Sequence, residues 1–91
     1  MRFEWNPRKA AANLRKHDVS FDEAASVFFD PLSVTGDDLD HSLDERRFVT
    51  FGISSSGRLL AVGHTDHDDA TIRIITARRA TRAEKNIYEE G

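Results

Sequence analysis

Four arginines and a small set of proton carriers define the chemistry open to this chain. Arg73 stands among isoleucines in Ile72-Arg73-Ile74-Ile75-Thr76-Ala77-Arg78-Arg79, a β-branched run that reads as a strand. An arginine in such a run is either ion-paired, with Glu45 a candidate partner, or set to meet a phosphate. Alternation along a strand assigns Arg73, Ile75 and Ala77 to one face and Ile72, Ile74, Thr76 and Arg78 to the other. Arg46, from the loop before the first strand of the run of strands, can nevertheless converge with Arg73, Arg78 and Arg79 at one edge of a small sheet.

Convergent guanidinium groups suit metal-independent RNA cleavage. A base removes the ribose 2′-hydroxyl proton, the oxygen attacks the adjacent phosphorus, and an acid protonates the departing 5′ oxygen. Arginines stabilise the added negative charge through paired hydrogen bonds. The candidate proton carriers are His17, Glu45, His64 and Tyr88, with histidine best suited near neutral pH. Lys16 and Arg79 can hold phosphates, and Trp5 or Tyr88 can stack a base. Each has a plainer role: Trp5 beside Phe3 suits a core, His64 can end a strand against a carbonyl, His17 can offset a helix dipole, and Tyr88 can tie a helix to the sheet.

Other chemistries find little support. His64-Thr65-Asp66-His67-Asp68-Asp69, with Asp40-His41, mixes imidazole and carboxylate, but these residues read as a turn and lack a ligand spacing, so neither a metal nor a cofactor is expected. No glycine-rich phosphate loop or hydrolase nucleophile motif is present. There is no cysteine, which removes disulfides and thiolate chemistry and fits a reducing compartment. The chain has no apolar run of membrane-spanning length and no signal peptide in MRFEWNPRK, so a cytoplasmic protein starting at its own Met1 is expected.

The net charge of -3 conceals an uneven distribution. Residues 1–17 carry +4, residues 18–45 carry -9 with no basic group, and residues 46–91 carry +2. Such asymmetry permits one basic face on an acidic protein.

The elements that must position these groups are legible from caps and periodicity. Residues 2–5 read as a strand, and Asn6-Pro7 caps and opens a helix to His17 whose tail, Arg15-Lys16-His17, complements the dipole. Val19-Ser20-Phe21-Asp22-Glu23 predicts a capping box and a second helix burying Phe21, Ala24, Ala25 and Phe28, stopped at Asp30-Pro31. Residues 32–35, 47–53, 58–65 and 71–78 read as strands, the last three forming a meander with turns at 54–57 and 66–69. Thr81-Arg82-Ala83-Glu84 predicts a second capping box and a last helix. The expectation is a single α+β domain spanning 1–91, an antiparallel sheet covered by helices in the order β-α-α-β-β-β-β-α.

Fragments along nearly the whole chain resemble one family: Phe3-Glu4-Trp5-Asn6-Pro7 with Lys9 and Asn13, Lys16-His17-Asp18-Val19-Ser20-Phe21-Asp22-Glu23-Ala24, and Val27-Phe28-Phe29-Asp30-Pro31. They continue through Glu45-Arg46, Gly52, His64-Thr65, Arg73-Ile74-Ile75-Thr76-Ala77-Arg78-Arg79-Ala80-Thr81, Glu84 and Tyr88. The pattern is similar to that of BrnT toxins. The resemblance implies a RelE-like fold, an endoribonuclease that inhibits translation, and neutralisation by a BrnA-like antitoxin in a 2:2 assembly that meets DNA only through the antitoxin. The chain departs at Asn6, Asp18 and Thr76, where the family pattern has Asp, Gly and Ser. Asp18 must then adopt a left-handed turn. The alternative reading of the same basic residues is a non-enzymatic module that docks an acidic protein partner.

Overall fold

The computed structural model describes residues 1–39, 45–68 and 70–91. Five strands form one sheet in the order β1-β5-β4-β3-β2: β1 (Arg2–Glu4), β2 (Val34–Asp37), β3 (Phe48–Ile53), β4 (Leu59–Asp68) and β5 (Thr71–Arg79). Helices α1 (Pro7–His17) and α2 (Phe21–Ser26) precede β2, a 3-10 turn Val27–Phe29 extends α2, and α3 (Arg82–Glu90) follows β5. The expected element order holds. The strands β2 to β5 form an antiparallel meander, but β1 runs parallel to β5, so the sheet is mixed. The chain leaves β1 through both helices before entering the meander, and returns to that edge with the polarity of β1.

Local chemistry sets the helix ends. The Asn6 Oδ1 accepts from the amides of Arg8 and Lys9 at 2.8 and 3.2 Å. Asp18 takes the left-handed conformation, φ 57°, and its amide closes α1 on the Leu14 carbonyl. Ser20 caps α2 by accepting from the Glu23 amide at 3.0 Å, but the reciprocal half of the expected capping box is replaced. The Glu23 carboxylate turns to Arg58 and to the hydroxyls of Ser54 and Ser56, pinning α2 to the β3–β4 turn. A guanidinium outcompetes one backbone amide, and its hydrogen bonding is the main reason the Glu23 pKa falls to about 2. At Thr81 the capping box is complete.

The core lies between α1, α2 and one face of the sheet, where Val19, Phe21, Ala24, Val27, Leu60, Val62, Ile74 and Ala77 are buried. Trp5 meets Phe21 edge-on at 6.0 Å, and Phe3 meets Phe28 at 5.5 Å. Ile74 and Ala77 are three residues apart yet share this core, which strict alternation forbids. The register explains it: Gly63 faces Thr76 and His64 faces Ile74, so Ile75 is an extra residue on β5, a β-bulge. The bulge reverses the alternation beyond it. Ala77 therefore leaves the face assigned to Arg73, and Arg78, opposite Ala61, joins Arg73, opposite Thr65, on the face away from the core. The expected turn at 66–69 is also shorter, since β4 continues to Asp68.

Candidate nucleic-acid groove

The sheet face away from the core carries a depression floored by small residues. Val49, Gly63 and Thr76 are cross-strand neighbours, with Ala61 one pair further along. Gly63 packs closely under Thr76: a Cβ there would lie 2.8 Å from the Thr76 Oγ1 and would require that hydroxyl to shift. Asp38, Arg47, Ile75 and Arg78 complete the walls of a cleft of about 130 Å³. A second, more open cleft lies between α1 and β5, lined by Lys9, Ala12, Asn13, Lys16, His17, Ile75 and Thr76. Ile75 and Thr76 border both. The two clefts adjoin at the bulge, with the basic flank of α1 on one side and the arginine rim of the sheet on the other.

Asn13 holds α1 in that position. Its Oδ1 accepts from the Ala77 amide at 3.1 Å, and its Nδ2 donates to the carbonyls of Ala77 at 2.8 Å and Val19 at 2.9 Å. Strand β1 pairs with β5 only as far as Arg73, so beyond it the Asn13 amide supplies the donor and acceptor that a neighbouring strand would. Lys9, Asn13 and Lys16 share one face of α1 by helical spacing, so fixing Asn13 fixes the lysines.

Of the arginines expected at a site, Arg78 is the one that lines the sheet cleft. It is 42% exposed and makes a two-point contact with Glu84, at 2.7 Å to Oε1 and 2.9 Å to Oε2. This hydrogen bonding is the chief cause of a raised Arg78 pKa, with a smaller contribution from the charge of Asp38, and of a Glu84 pKa held at about 2.

The other residues expected at a site are dispersed. Lys16 and His17 line the α1 side of the groove. Arg73 donates to Glu4 at 2.7 Å, not to Glu45, and lines neither cleft. Thr65 and Ala61 are four residues apart on β4, so their partners Arg73 and Arg78 stand roughly 13 Å apart along the sheet. Arg46 pairs with Asp37 at 2.9 Å with its guanidinium over the Phe48 ring, and Glu45 and Arg79 are exposed; none of the three lines the groove.

His64 borders the sheet cleft, but only 3% of it reaches solvent. Its ring lies edge-on to Phe28 at 4.9 Å and stacks on Phe48 at 5.7 Å, with Nε2 2.8 Å from the Thr50 hydroxyl, so it is packed as a core residue. Burial lowers its pKa. Trp5 packs edge-on against Phe21, and the Tyr88 hydroxyl donates to Asp30 at 2.7 Å, so each ring has a packing or anchoring contact, and neither lines either cleft. That hydrogen bond raises the Tyr88 pKa, while the Ile53 amide is the first cause of the lowered Asp30 pKa.

Sequence reasoning passed over Arg47 and Asp38, which line the cleft. The signal was available in principle: adjacent residues of an extended chain leave on opposite faces, so Arg46 and Arg47 cannot both reach one cleft. Among the described residues no group of three or more His, Asp or Glu gathers as a metal site; Asp40, His41 and Asp69 and the side chains of His67 and Asp68 lie outside them.

An α+β domain with a basic groove between its first helix and a bulged strand defines the class of protein. Residues 5–84 match the family model of the ribonuclease toxin BrnT of type II toxin-antitoxin systems, and the chain belongs to that family. Its fold is similar to the 1.1 Å crystal structure of the Brucella abortus ribonuclease toxin BrnT, with a TM-score of 0.68, 17% identity, and coverage of 90% of this chain and 99% of the other. The comparison with curated proteins finds no match. Among the described residues no helix is long and apolar enough to cross a membrane.

Proposed function

We propose that this chain is a toxin that cleaves RNA in the cytoplasm without a metal ion and so inhibits translation, and that a BrnA-like antitoxin neutralises it. RNA lies in the groove over Ile75 and Thr76. Arg78, aided by Arg47, stabilises the phosphorane, His17 carries a proton, and Lys9 and Lys16 hold flanking phosphates. The 2′-hydroxyl gives its proton to His17 as its oxygen attacks the phosphorus, and the departing 5′ oxygen takes a proton from water, which leaves a 2′,3′-cyclic phosphate beside a 5′-hydroxyl. The observation that supports this reading is that two adjoining clefts share Ile75 and Thr76, with His17 lining one and Arg78 the other. Glu45, Arg46 and Arg73 stand outside it, so His17 takes the proton-transfer role.

The test is incubation of the purified protein with labelled single-stranded RNA in excess chelator. Cyclic-phosphate ends at internal positions are expected. Intact RNA together with tight binding of an acidic protein would favour a docking module instead, and cleavage that requires an added divalent ion would overturn the metal-independent mechanism.

A further inference from the structure

The arginine best placed to grip phosphate is already gripped. Arg78 presents two N–H groups to the two oxygens of Glu84, the geometry in which a guanidinium meets a phosphate. Glu84 lies on α3, and its Oε1 also accepts from the Thr81 amide at 2.8 Å, so one carboxylate both caps the helix and occupies the arginine. No residue of α3 is buried, and Ile87 is 48% exposed. Besides the Glu84 contact, the helix is anchored by the hydrogen bond from Tyr88 to Asp30, with some packing on β3. An element that, among the described residues, is held by two polar side-chain contacts and little apolar burial can be released at low cost, unlike α1 and α2, which contribute to the core.

We propose that α3 is an autoinhibitory latch: Glu84 occupies the phosphate-binding fork of Arg78, and RNA gains that arginine only by displacing the carboxylate. This rests on the reading of the groove as an RNA site. A phosphodiester and Glu84 each carry one negative charge and compete closely in the ground state. The phosphorane carries more charge and wins Arg78 decisively, so the latch weakens binding of RNA more than it slows its cleavage. Glu84→Gln should therefore tighten binding with a smaller effect on the chemical step. Glutamine retains an oxygen for the Thr81 amide, which keeps the helix cap.

The experiment measures binding of a fluorescent 2′-O-methyl oligonucleotide, which cannot be cleaved, to the wild-type chain and to Glu84→Gln, Tyr88→Phe, Arg78→Ala and the Arg78→Ala/Glu84→Gln pair. Glu84→Gln should bind about fivefold more tightly, the factor expected for removing a partly exposed ion pair that competes with the ligand. Tyr88→Phe, which loosens α3 with Glu84 in place, should tighten binding by less. The pair should bind no better than Arg78→Ala alone, because without the arginine there is nothing for Glu84 to withhold. Hydrogen exchange on the wild type tests the latch without any variant: bound oligonucleotide should speed exchange in residues 82–90. Unchanged or weaker binding by a folded Glu84→Gln, or stronger protection of α3 on binding, overturns the latch and leaves the groove intact. No measurable binding by the wild type removes the groove and the latch together.

Discussion

The carboxamide of Asn13 both accepts from and donates to the backbone of Ala77, although the residues are 64 positions apart. This one side chain closes the edge of β5 beyond β1 and aligns α1 with the bulge. Asn13 is 8% exposed, so Asn13→Ala would strand the Ala77 amide and carbonyl away from water. The expected loss is about 2–3 kcal/mol of stability, the usual cost of buried polar groups left unpaired. Chemical denaturation followed by tryptophan fluorescence measures it, and a loss below a few tenths would show that the contact is dispensable.

Arg78 and Arg73 should separate in kinetics. Arg78 borders the sheet cleft, whereas Arg73 is turned to Glu4. Arg78→Ala should lower cleavage about 100-fold or more, and Arg78→Lys should rescue poorly because an ammonium cannot make the two-point contact. Arg73→Ala should lower it less than tenfold. Single-turnover rates on a short RNA decide the matter; equal losses at both positions would place Arg73 at the reacting phosphate.

Acid should destabilise the fold in two stages. Burial lowers the His64 pKa from 6.5, so as pH falls below about 6.5 the unfolded chain takes up a proton that the native state resists, and stability declines. Glu23 and Glu84, each brought from 4.5 to about 2 chiefly by an arginine, contribute stability that is present above pH 4.5 and is lost as pH falls from there towards 2. Denaturation midpoints across pH 7 to 3 should show both limbs. His64→Gln should abolish the upper one, and its persistence would reassign that limb to another histidine.

The partner should leave a footprint on the groove. A type II toxin has a cognate antitoxin, and carboxylates placed against Arg78, Lys9 and Lys16 would exclude phosphates by occupying the same donors. Co-expression with a BrnA-like antitoxin should give a 2:2 complex by light scattering, with reduced hydrogen exchange at residues 9–17 and 73–82. A 1:1 mass would remove the dimeric assembly, and unchanged exchange in both segments would remove this face as the contact.

What the sequence determined by itself lies in interactions between near neighbours. Asn6-Pro7, Ser20 and Thr81 mark helix starts because a cap needs only a side-chain oxygen and an amide two or three residues on. Asp18 marks the turn after α1, and the alternating runs mark the meander, since both depend on local backbone preference. The family resemblance draws on the same positions, read together along the chain.

Only the tertiary structure decided which of those residues share a site. A bulge is defined by counting against a partner strand, so nothing in Ile74-Ile75-Thr76 announces that Ile75 is the extra residue, yet this shift moves Arg78 to the open face. The choice of Arg47 over Arg46 and of Glu4 over Glu45 likewise depends on which face and which strand lies opposite, a relation between residues up to 69 positions apart. His64 has the chemistry of a catalyst, but Phe28 and Phe48 close around it, and burial is a property of the packed fold and not of the residue.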